Sequence, residues 1–400
     1  MYKILPLLTT FALTGFIPNG VSGEFSGHIG LEATAFFEPA IYENQEDTYA
    51  SLSTKVNYYH DWDNGYQRFE TSIFGRVDGD DERTHADIRE LYYWRAFNRI
   101  ELYIGVRQVF WGVTESAHLV DIINQTDLVE SIDGEEKLGQ AMINTFYETD
   151  YGAYELFVLP GFRERTFTGE EGRLRPSVIV DQGNATYESD KEQSHIDYAF
   201  RWSHVVDVVD VVDIGLSYFN GTDRNPTLTP NFGGNGVIEL TPYYRQIQQY
   251  GLDVQATIES WAWKMETIAV IPDSDDNYFA SVSGFEYTLV GFSGSSTDLG
   301  LIVEYQYDQR DADSASLQQN DIVLGTRWLL NNADSTEILL IGSADLDDSS
   351  VIMSVEAQHR LTDNWSVSVE ARYFGNASLG GATYDLRKDS YARVEFNGYF

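Results

Sequence analysis

The chain has 400 residues, of which 42% are hydrophobic and 14% aromatic, a composition that excludes an intrinsically disordered protein. Its 63 acidic residues outnumber 26 basic ones, and the net charge of −37 argues against a nucleic-acid partner, whose phosphates require a basic surface. Cysteine is absent, which excludes disulfides, thiolate metal sites and a cysteine nucleophile.

The N-terminus has the features of an export signal. Lys3 precedes a mostly apolar run at 4–17, and the small residues at 21–23 suit cleavage by a signal peptidase. We predict a signal peptide at 1–23 and a mature chain at 24–400, with an uncleaved membrane anchor as the alternative. No later stretch reaches ~18 apolar residues, so the exported chain is periplasmic, secreted or a membrane β-barrel.

Apolar and polar residues alternate with a period of two along most of the mature chain. The alternation is clear at 100–107, 252–259, 299–307 and 365–373. Segments of about ten residues with aromatic ends and one charged face are typical of transmembrane β-barrels. Short turns alternate with longer connections, and their count predicts an all-β fold, a transmembrane antiparallel β-barrel of about 18 strands. Residues 237–250 could hold an additional hairpin.

Charged residues recur on one face of these strands. We predict that this face lines the interior, because lipid disfavours charge by ~2–4 kcal/mol at mid-depth. The predicted pore-lining residues are Arg68, Glu70, Arg76, Glu101, Arg107, Asp253, Lys264, Glu266, Glu286, Glu304, Arg327, Glu356, Glu370, Arg372, Arg393 and Glu395. Both signs of charge occur, so the face is either a polar pore with a transverse field or a salt-bridge lattice that stiffens the barrel, and the two can coexist.

The connection at 110–140 differs from the others. Thr114 can cap a helix, and apolar residues then recur at roughly helical spacing before Gly134. We predict an amphipathic helix that folds into the barrel as a constriction or plug; an external cap is the alternative. The predicted constriction residues are Trp111, Asp121, Asn124 and Asp127.

The last strand ends the chain with an aromatic residue. Ala392, Val394, Phe396, Gly398 and Phe400 share one face. A terminal Phe that closes an alternating strand is similar to the assembly signal of bacterial outer-membrane proteins. It predicts a location in the outer membrane of a Gram-negative bacterium, contact with outer-membrane lipid and lipopolysaccharide, and recognition by the barrel-assembly machinery through the Phe400 strand.

Several segments together resemble a family of proteobacterial outer-membrane proteins. They are GLDVQAT (251–257), WAWKMET (261–267), GFEYTL (284–289), DLGLIVEYQYDQR (298–310) and VRQVFWG…VDIINQTDL (106–128). The resemblance covers most of the mature chain and implies a porin-like barrel without an assigned substrate. Arg107, Trp111, Asp121, Asn124 and Asp127 match the motif of the helix segment, and the resemblance assigns them no role.

Acidic clusters mark four of the long connections, at 78–82, 273–276, 308–313 and 345–348. Clustered carboxylates suit Ca²⁺ or Mg²⁺, which could bridge to lipopolysaccharide phosphates. The sequence has no D-x-D-x-D-G-x5-E loop, so the metal signal is weak, and solubility or repulsion between loops is the favoured explanation of the clusters. Cofactors are otherwise expected to be absent, and the metal residues are unknown.

The sequence favours a porin-like channel for passive passage of small polar solutes, with a mild preference for cations because acids outnumber bases on the inner face. A plugged barrel with a structural or lipid-handling role in the envelope is the alternative. A surface hydrolase is a weaker one, because no G-x-S-x-G elbow, H-E-x-x-H pair or phosphate-binding loop occurs. We therefore predict no enzyme activity; His85, near Asp80, Asp81 and Asp87, is the one histidine whose surroundings merit inspection.

Overall fold

The computed structural model describes residues 23–207, 211–232, 238–310, 317 and 319–400. The predicted signal peptide at 1–23 lies outside these residues except for Gly23. No helix among the described residues is long and apolar enough to cross a membrane.

Eighteen strands form one closed antiparallel sheet. The barrel strands are β1 (Glu24–Phe36), β2 (Thr48–Trp62), β3 (Gln67–Val77), β4 (His85–Phe97), β5 (Ile100–Arg107), β6 (Gln140–Thr149), β7 (Gly152–Pro160), β9 (Ile196–Asp207), β10 (Val211–Thr222), β13 (Gln246–Ile258), β14 (Trp261–Pro272), β15 (Tyr278–Leu289), β16 (Asp298–Asp308), β17 (Asn320–Leu329), β18 (Glu337–Asp345), β19 (Val351–Thr362), β20 (Trp365–Gly375) and β21 (Tyr391–Tyr399). Each pairs with the next barrel strand along the chain, and β21 pairs with β1 to close the ring. The predicted fold, an antiparallel barrel of about 18 strands, is confirmed.

Three short strands form a separate sheet outside the barrel wall. They are β8 (Thr186–Tyr187), β11 (Thr227–Phe232) and β12 (Ile238–Tyr244), with β12 paired to both of the others. The hairpin of β11 and β12 overlaps the segment at 237–250 for which an additional hairpin was considered.

The alternation in the sequence becomes an apolar exterior and a polar interior, since successive side chains of a strand point to opposite faces. On β3, for example, Ile73 and Val77 are 50% and 64% exposed, whereas Arg76 between them is 7% exposed. An exposed apolar band around a closed barrel suits contact with lipid.

The two rims of the barrel differ in the lengths of their connections. Eight short connections lie at one rim, together with the start of β1 and the end of β21, and this rim is called the turn end. The turns there use residues that tolerate positive φ, such as Asn64 (φ 55°), Gly65 (φ 82°) and Asn98 (φ 60°). Nine connections lie at the other rim, called the loop end, and most of them are longer; those at 273–277 and 346–350 are the short exceptions.

Two of the long connections determine the interior. Residues 108–139, between β5 and β6, are called the inward loop, and residues 161–195, between β7 and β9, are called the cover loop. The inward loop packs on a patch of the inner wall that is apolar, and together they form a hydrophobic core inside the barrel. The wall residues of this core are Met142, Phe157, Leu159, Ala199, Phe219, Ile247, Ile268, Val270 and Ala280.

Candidate functional site

All sixteen residues predicted to line the interior lie on the inward-pointing face of their strands. Glu266 and Glu304 on this face are 0% and 2% exposed, whereas the outward Leu324 is 57% exposed. The register sets Asp253 of β13 directly opposite Glu266 of β14. That these side chains conduct a solute stays a prediction.

Opposite charges on the inner face pair between neighbouring strands and also across an intervening strand, as Arg201 of β9 pairs across β10 with Asp253 of β13. Arg201 donates two hydrogen bonds to the carboxylate of Asp253, at 2.7 and 2.8 Å. Arg393 Nη1 lies 3.2 Å from Glu370 Oε2 on the adjacent strand. Part of the wall is therefore a lattice of salt bridges, one of the two arrangements that the sequence left open.

The inward loop contains no helix, so the helix predicted within 110–140 is wrong. The reason lies in its polar side chains, which bond to nearby backbone and compete with helical hydrogen bonds. Asp121 Oδ1 accepts the N–H groups of Trp111 (2.6 Å) and Gly112 (3.0 Å), ten and nine residues earlier. This pairing bends the chain into a compact irregular loop.

Asn124 holds the neck of the inward loop together. Its Nδ2 donates to the carbonyls of Arg107 (2.7 Å) and Leu138 (2.8 Å), and its Oδ1 accepts the N–H of Val109 (2.8 Å). One amide side chain thus joins the two ends of the loop to its middle, which explains why Asn124 is 3% exposed.

A carboxylate of the barrel wall replaces the missing helical acceptors. Glu266 Oε1 accepts the N–H groups of Val113 (2.7 Å) and Thr114 (2.9 Å) and the hydroxyl of Thr114 (2.8 Å). Its Oε2 accepts the N–H of Val120 at 3.2 Å. Hydrogen bonds to an ionised acceptor are the strong class, so this carboxylate anchors the loop to β14.

Glu304 repeats the arrangement two strands further around the barrel. Its carboxylate accepts the N–H groups of Glu115 (2.8 Å) and Ser116 (2.9 Å), and also the Ser116 hydroxyl. The loop therefore reaches from its origin at β5 across the interior to β16.

The apolar residues of the loop are buried against the part of the wall that runs from β6 to β15. Val120, Ile122 and Ile123 are 0%, 4% and 1% exposed, and the Trp111 ring packs edge-on against Phe157 with centroids 5.7 Å apart. Burial of each such side chain stabilises the docked loop by ~1.5–3 kcal/mol. This core fixes the side of the barrel on which the loop lies.

Arginines of β3 and the following connection hold the tip of the loop. Arg76 donates three hydrogen bonds to Glu130 of the loop, at 2.9 to 3.1 Å, and one to Glu32 of β1 at 3.0 Å. Arg83 lies 2.5 Å from Glu32 and 2.8 Å from Asp78. These groups are all nearly buried, so each depends on its partner for charge compensation.

Asp127 lies where the wall, the inward loop and the cover loop meet. It is 0% exposed and accepts hydrogen bonds from Arg89 (2.6 Å) and Thr166 (2.8 Å). His85 Nε2 is 3.3 Å from Asp127 and 3.7 Å from Glu130. The acidic neighbours of His85 are therefore loop residues rather than the Asp80, Asp81 and Asp87 considered from the sequence.

A cavity of about 900 Å³ remains beside the inward loop. Its floor is the edge of the loop, and its walls are the inner faces of β13 to β21, of β1 and of β3. Among the described residues, the loop thus fills one side of the barrel and leaves a cavity on the other side.

The predicted constriction residues divide into two groups. Asp121 and Asn124 border the cavity, although the side chains of both form hydrogen bonds with backbone groups of the loop or of its ends. Trp111 and Asp127 do not border it: the first packs in the core beneath the Arg201 guanidinium, and the second is enclosed by Arg89 and Thr166. Trp111 therefore does not face the cavity, and Asp127 meets the wall arginine Arg89 instead; that either residue narrows a passage stays a prediction.

Burial and charge shift the pKa values of Asp121 and His118 in the loop. Burial is the main effect on Asp121 and raises its pKa above the usual range. Burial lowers the pKa of His118, but Glu135 at 2.9 Å and the Glu266 carboxylate 3.8 Å away outweigh it and raise this pKa to about 10. His118 is thus cationic at neutral pH and adds an ion pair to the anchor at Glu266.

Several interior residues escaped the sequence analysis. Glu32, Arg89 and Arg201 all point inward and are buried with charged partners. A bulge at Ser72–Ile73 shifts the register between β3 and β4, so Arg89 leaves the simple alternation. For Arg201 the signal was present in the sequence, because Arg201 alternates with Phe200 and Trp202. In the structure Phe200 is exposed and Arg201 is buried, as that alternation indicates.

The acidic clusters of the long connections form local turns. Asp78 Oδ1 accepts the Asp80 N–H (2.9 Å), and Asp345 Oδ1 accepts the N–H groups of Asp347 and Asp348. Within the described ranges, no group of three or more His, Asp or Glu side chains is arranged to hold a metal ion. Residues 311–313 lie outside those ranges, and the Ca²⁺ or Mg²⁺ site stays a prediction.

Comparison with known proteins gives structural matches only. No family model matches the chain, and no curated protein matches it. Among solved structures it is similar to a triple mutant of the Rhodopseudomonas blastica porin carrying two introduced tryptophans, with 12% identity, a TM-score of 0.45, and coverage of 94% of this chain and 100% of the porin. Another mutant of the same porin has 12% identity, a TM-score of 0.46 and the same coverage. A structure described as "Asymmetric conductivity of engineered proteins" has the same three values. The barrel assignment rests on the strand pairing of this chain itself.

Proposed function

We propose that the chain is a porin-like channel for passive passage of small polar solutes. The cavity of about 900 Å³ between the inward loop and the wall of β13 to β21 carries this proposal. A loop that served only to plug the barrel would fill that space as closely as it fills the side of Phe157 and Phe219. A polar lining of this kind supports a water-filled path, because charged groups need water or partner charges.

We further propose a preference for cations. Among the described residues, twelve Asp and Glu side chains border the cavity against eight Arg and Lys side chains. Many of these acids are engaged, but Glu395 accepts only a long hydrogen bond, 3.5 Å from the Ser53 hydroxyl. Glu356 lies 3.8 Å from Arg372, whose nearer partner is Asp133 at 3.1 Å. Glu356 shares Arg372 with Asp133 and Glu370, and Glu395 has no ion pair among the described residues, so both carboxylates leave negative potential that is at most partly cancelled.

Single-channel recording in planar bilayers tests the channel itself. We expect steady ion-permeable openings of the purified barrel, and a larger conductance after deletion of 115–131, because that deletion removes the segment bordering the cavity. The deletion variant must keep the heat-stable mobility of the folded barrel on gels. Silence of both proteins at all voltages would favour the plugged barrel instead.

Reversal potentials across a salt gradient test the selectivity. We expect cation preference in low salt that weakens as salt screens the field over ~10 Å at 0.1 M. The double variant Glu356→Gln/Glu395→Gln should lose most of this cation preference. Asp150→Asn removes one charge at the exposed turn end and is the matched control. Anion preference of the unmodified protein would refute the proposal.

We also propose the outer membrane of a Gram-negative bacterium as the location, with lipid around the apolar exterior and lipopolysaccharide at the loop end. Recognition by the barrel-assembly machinery through the last strand belongs to the same proposal. Support comes from Phe400, which continues the pairing of β21 with β1 by exchanging hydrogen bonds of 3.0 and 3.1 Å with Gly27. Replacement of Phe400 by Ala should lower the yield of assembled barrel in membranes while refolding in detergent proceeds.

A further inference from the structure

The cover loop crosses the loop end of the barrel from side to side. It leaves β7 and returns to β9, two adjacent strands. Between them, the N–H of Ser177 donates to Asp385 (2.9 Å) in the connection between β20 and β21, which lies across the ring. Val180 then forms a β-bridge to Leu240 in the connection between β10 and β13. Three of the long connections therefore meet above the interior.

One arginine fastens the cover loop to the far rim. The Arg173 side chain is 1% exposed. It donates to Asp389 at 2.7 Å, to Asp47 at 3.3 Å and to the carbonyl of Lys388 at 2.6 Å. Its guanidinium lies over the ring of Phe36, 4.2 Å from the centroid. These four partners lie on β1, in the connection between β1 and β2, and in the connection between β20 and β21, and together they form the Arg173 socket.

The backbone next to Arg173 is held in the same place. Leu174 has a φ of 59°, a conformation that is costly for a branched side chain and persists only where the surroundings enforce it. Its N–H donates to the second oxygen of Asp389 at 2.9 Å. The Tyr49 hydroxyl donates to the carbonyl of Glu171 at 2.5 Å, and Gln45 donates to that of Gly172 at 2.6 Å.

The cover loop is also connected to the inward loop. Thr166 donates its hydroxyl to Asp127 (2.8 Å), and Arg165 donates to the side chain of Gln125 (3.3 Å). Lifting of the cover loop would remove one of the partners that enclose Asp127. A movement at the loop end is therefore transmitted to the segment that borders the cavity.

We propose that the cover loop is a gate latched by Arg173, and that a solute enters the cavity from the loop end only when Arg173 leaves its socket. This proposal rests on the proposed channel function. The latch is made of contacts between chain segments more than 120 residues apart, so it can open while the barrel wall, with its continuous strand pairing, stays intact.

A single engineered disulfide tests the gate, because the chain has no cysteine of its own. The double variant Ser177→Cys/Asp385→Cys joins the cover loop to the far rim when oxidised. We expect its conductance to fall by roughly tenfold or more on oxidation and to recover in dithiothreitol, as a trapped closed state requires. The pair Thr267→Cys/Ser281→Cys, whose hydroxyls are 2.9 Å apart on neighbouring wall strands, is the control and should conduct equally in both states.

Arg173→Ala provides a second measurement that needs no crosslink. We expect it to raise the open probability of the channel above that of the unmodified protein. Equal conductance of the oxidised and reduced Ser177/Asp385 pair, with channels still present, would overturn the gate and leave the channel function standing. Silence of every variant, including the deletion of 115–131, would overturn the channel function and the gate with it.

Discussion

Replacement of Glu266 by Gln is the sharpest perturbation of the inward loop. The side chain keeps its shape and loses its charge. One of its two ends becomes an NH₂ group, which then faces the Val120 N–H at 3.2 Å or the N–H groups of Val113 and Thr114 at 2.7 and 2.9 Å. Two donors then oppose each other. Cationic His118 keeps Glu135 at 2.9 Å and loses the charge of its second carboxylate neighbour, 3.8 Å away.

The cost follows from the burial of Glu266, which is 0% exposed. Loss of one partner of a buried charge pair destabilises by about 3–5 kcal/mol, and every 1.4 kcal/mol is tenfold in population. The undocked loop should therefore become roughly 100-fold to 3,000-fold more populated. The barrel wall should keep its thermal stability, because none of its strand pairing involves the carboxylate.

Cysteine labelling measures this population directly. Val120→Cys places a thiol of similar size at a loop position that is 0% exposed, in a chain without other thiols. Maleimide should label it slowly in the parent and much faster when Glu266→Gln is added. Glu101→Gln is the matched control, since Glu101 is an inner-face carboxylate bonded to Trp94 and Tyr103 rather than to the loop. A labelling rate within about threefold of the parent would refute the anchoring role of Glu266.

Three further substitutions test other parts of the interior. Arg76→Met should lower the unfolding free energy by about 3–5 kcal/mol in urea titrations, because Glu32 and Glu130 lose a shared partner. Adding Glu130→Gln should restore part of the lost unfolding free energy. If the effects of the two substitutions are fully additive, the pairing is contradicted. His118 has a raised pKa of about 10, so its ion pair stabilises the fold fully below pH ~6.5 and is lost as pH rises through 10. The melting temperature of the unmodified protein should therefore exceed that of His118→Gln by less and less across that window. A constant difference would contradict the ion pair. Gly105→Ala should impair assembly, seen as less heat-stable barrel on gels, because the φ of Gly105 is 143° and a Cβ would lie 2.1 Å from a backbone oxygen of β4. A normal amount of assembled barrel would show that the wall can shift to accommodate the Cβ.

The barrel could be predicted because its signal is local. A period of two along Ile100–Arg107 or Trp365–Gly375 reports two faces without knowledge of which strands are neighbours. The number of strands followed from the contrast between short and long connections, which needs only the spacing of turn residues. The same local rule failed at Arg89, where a bulge inserts one residue and changes the face.

The inward loop could not be predicted in the same way. Its apolar residues recur at helical spacing, but the partners that decide its conformation are distant in sequence. Glu266 and Glu304, which accept its N–H groups, follow it by about 150 to 190 residues. Wall carboxylates that satisfy the backbone remove the need for helical hydrogen bonds, and this compensation is visible only in three dimensions.

The carboxylates of the interior therefore fall into two groups, those that hold the inward loop and those that do not. Glu266 and Glu304 serve as acceptors for loop backbone, and Glu130 and Asp133 neutralise wall arginines, so their charges are spent on holding the loop. A count of acids and bases would overstate the potential that a passing ion meets. The ion preference must come from the few carboxylates that neither anchor the loop nor neutralise an arginine, and Glu395 is the clearest of these. Substitution of an anchoring carboxylate should therefore change the size of the passage, and substitution of Glu395 its charge preference.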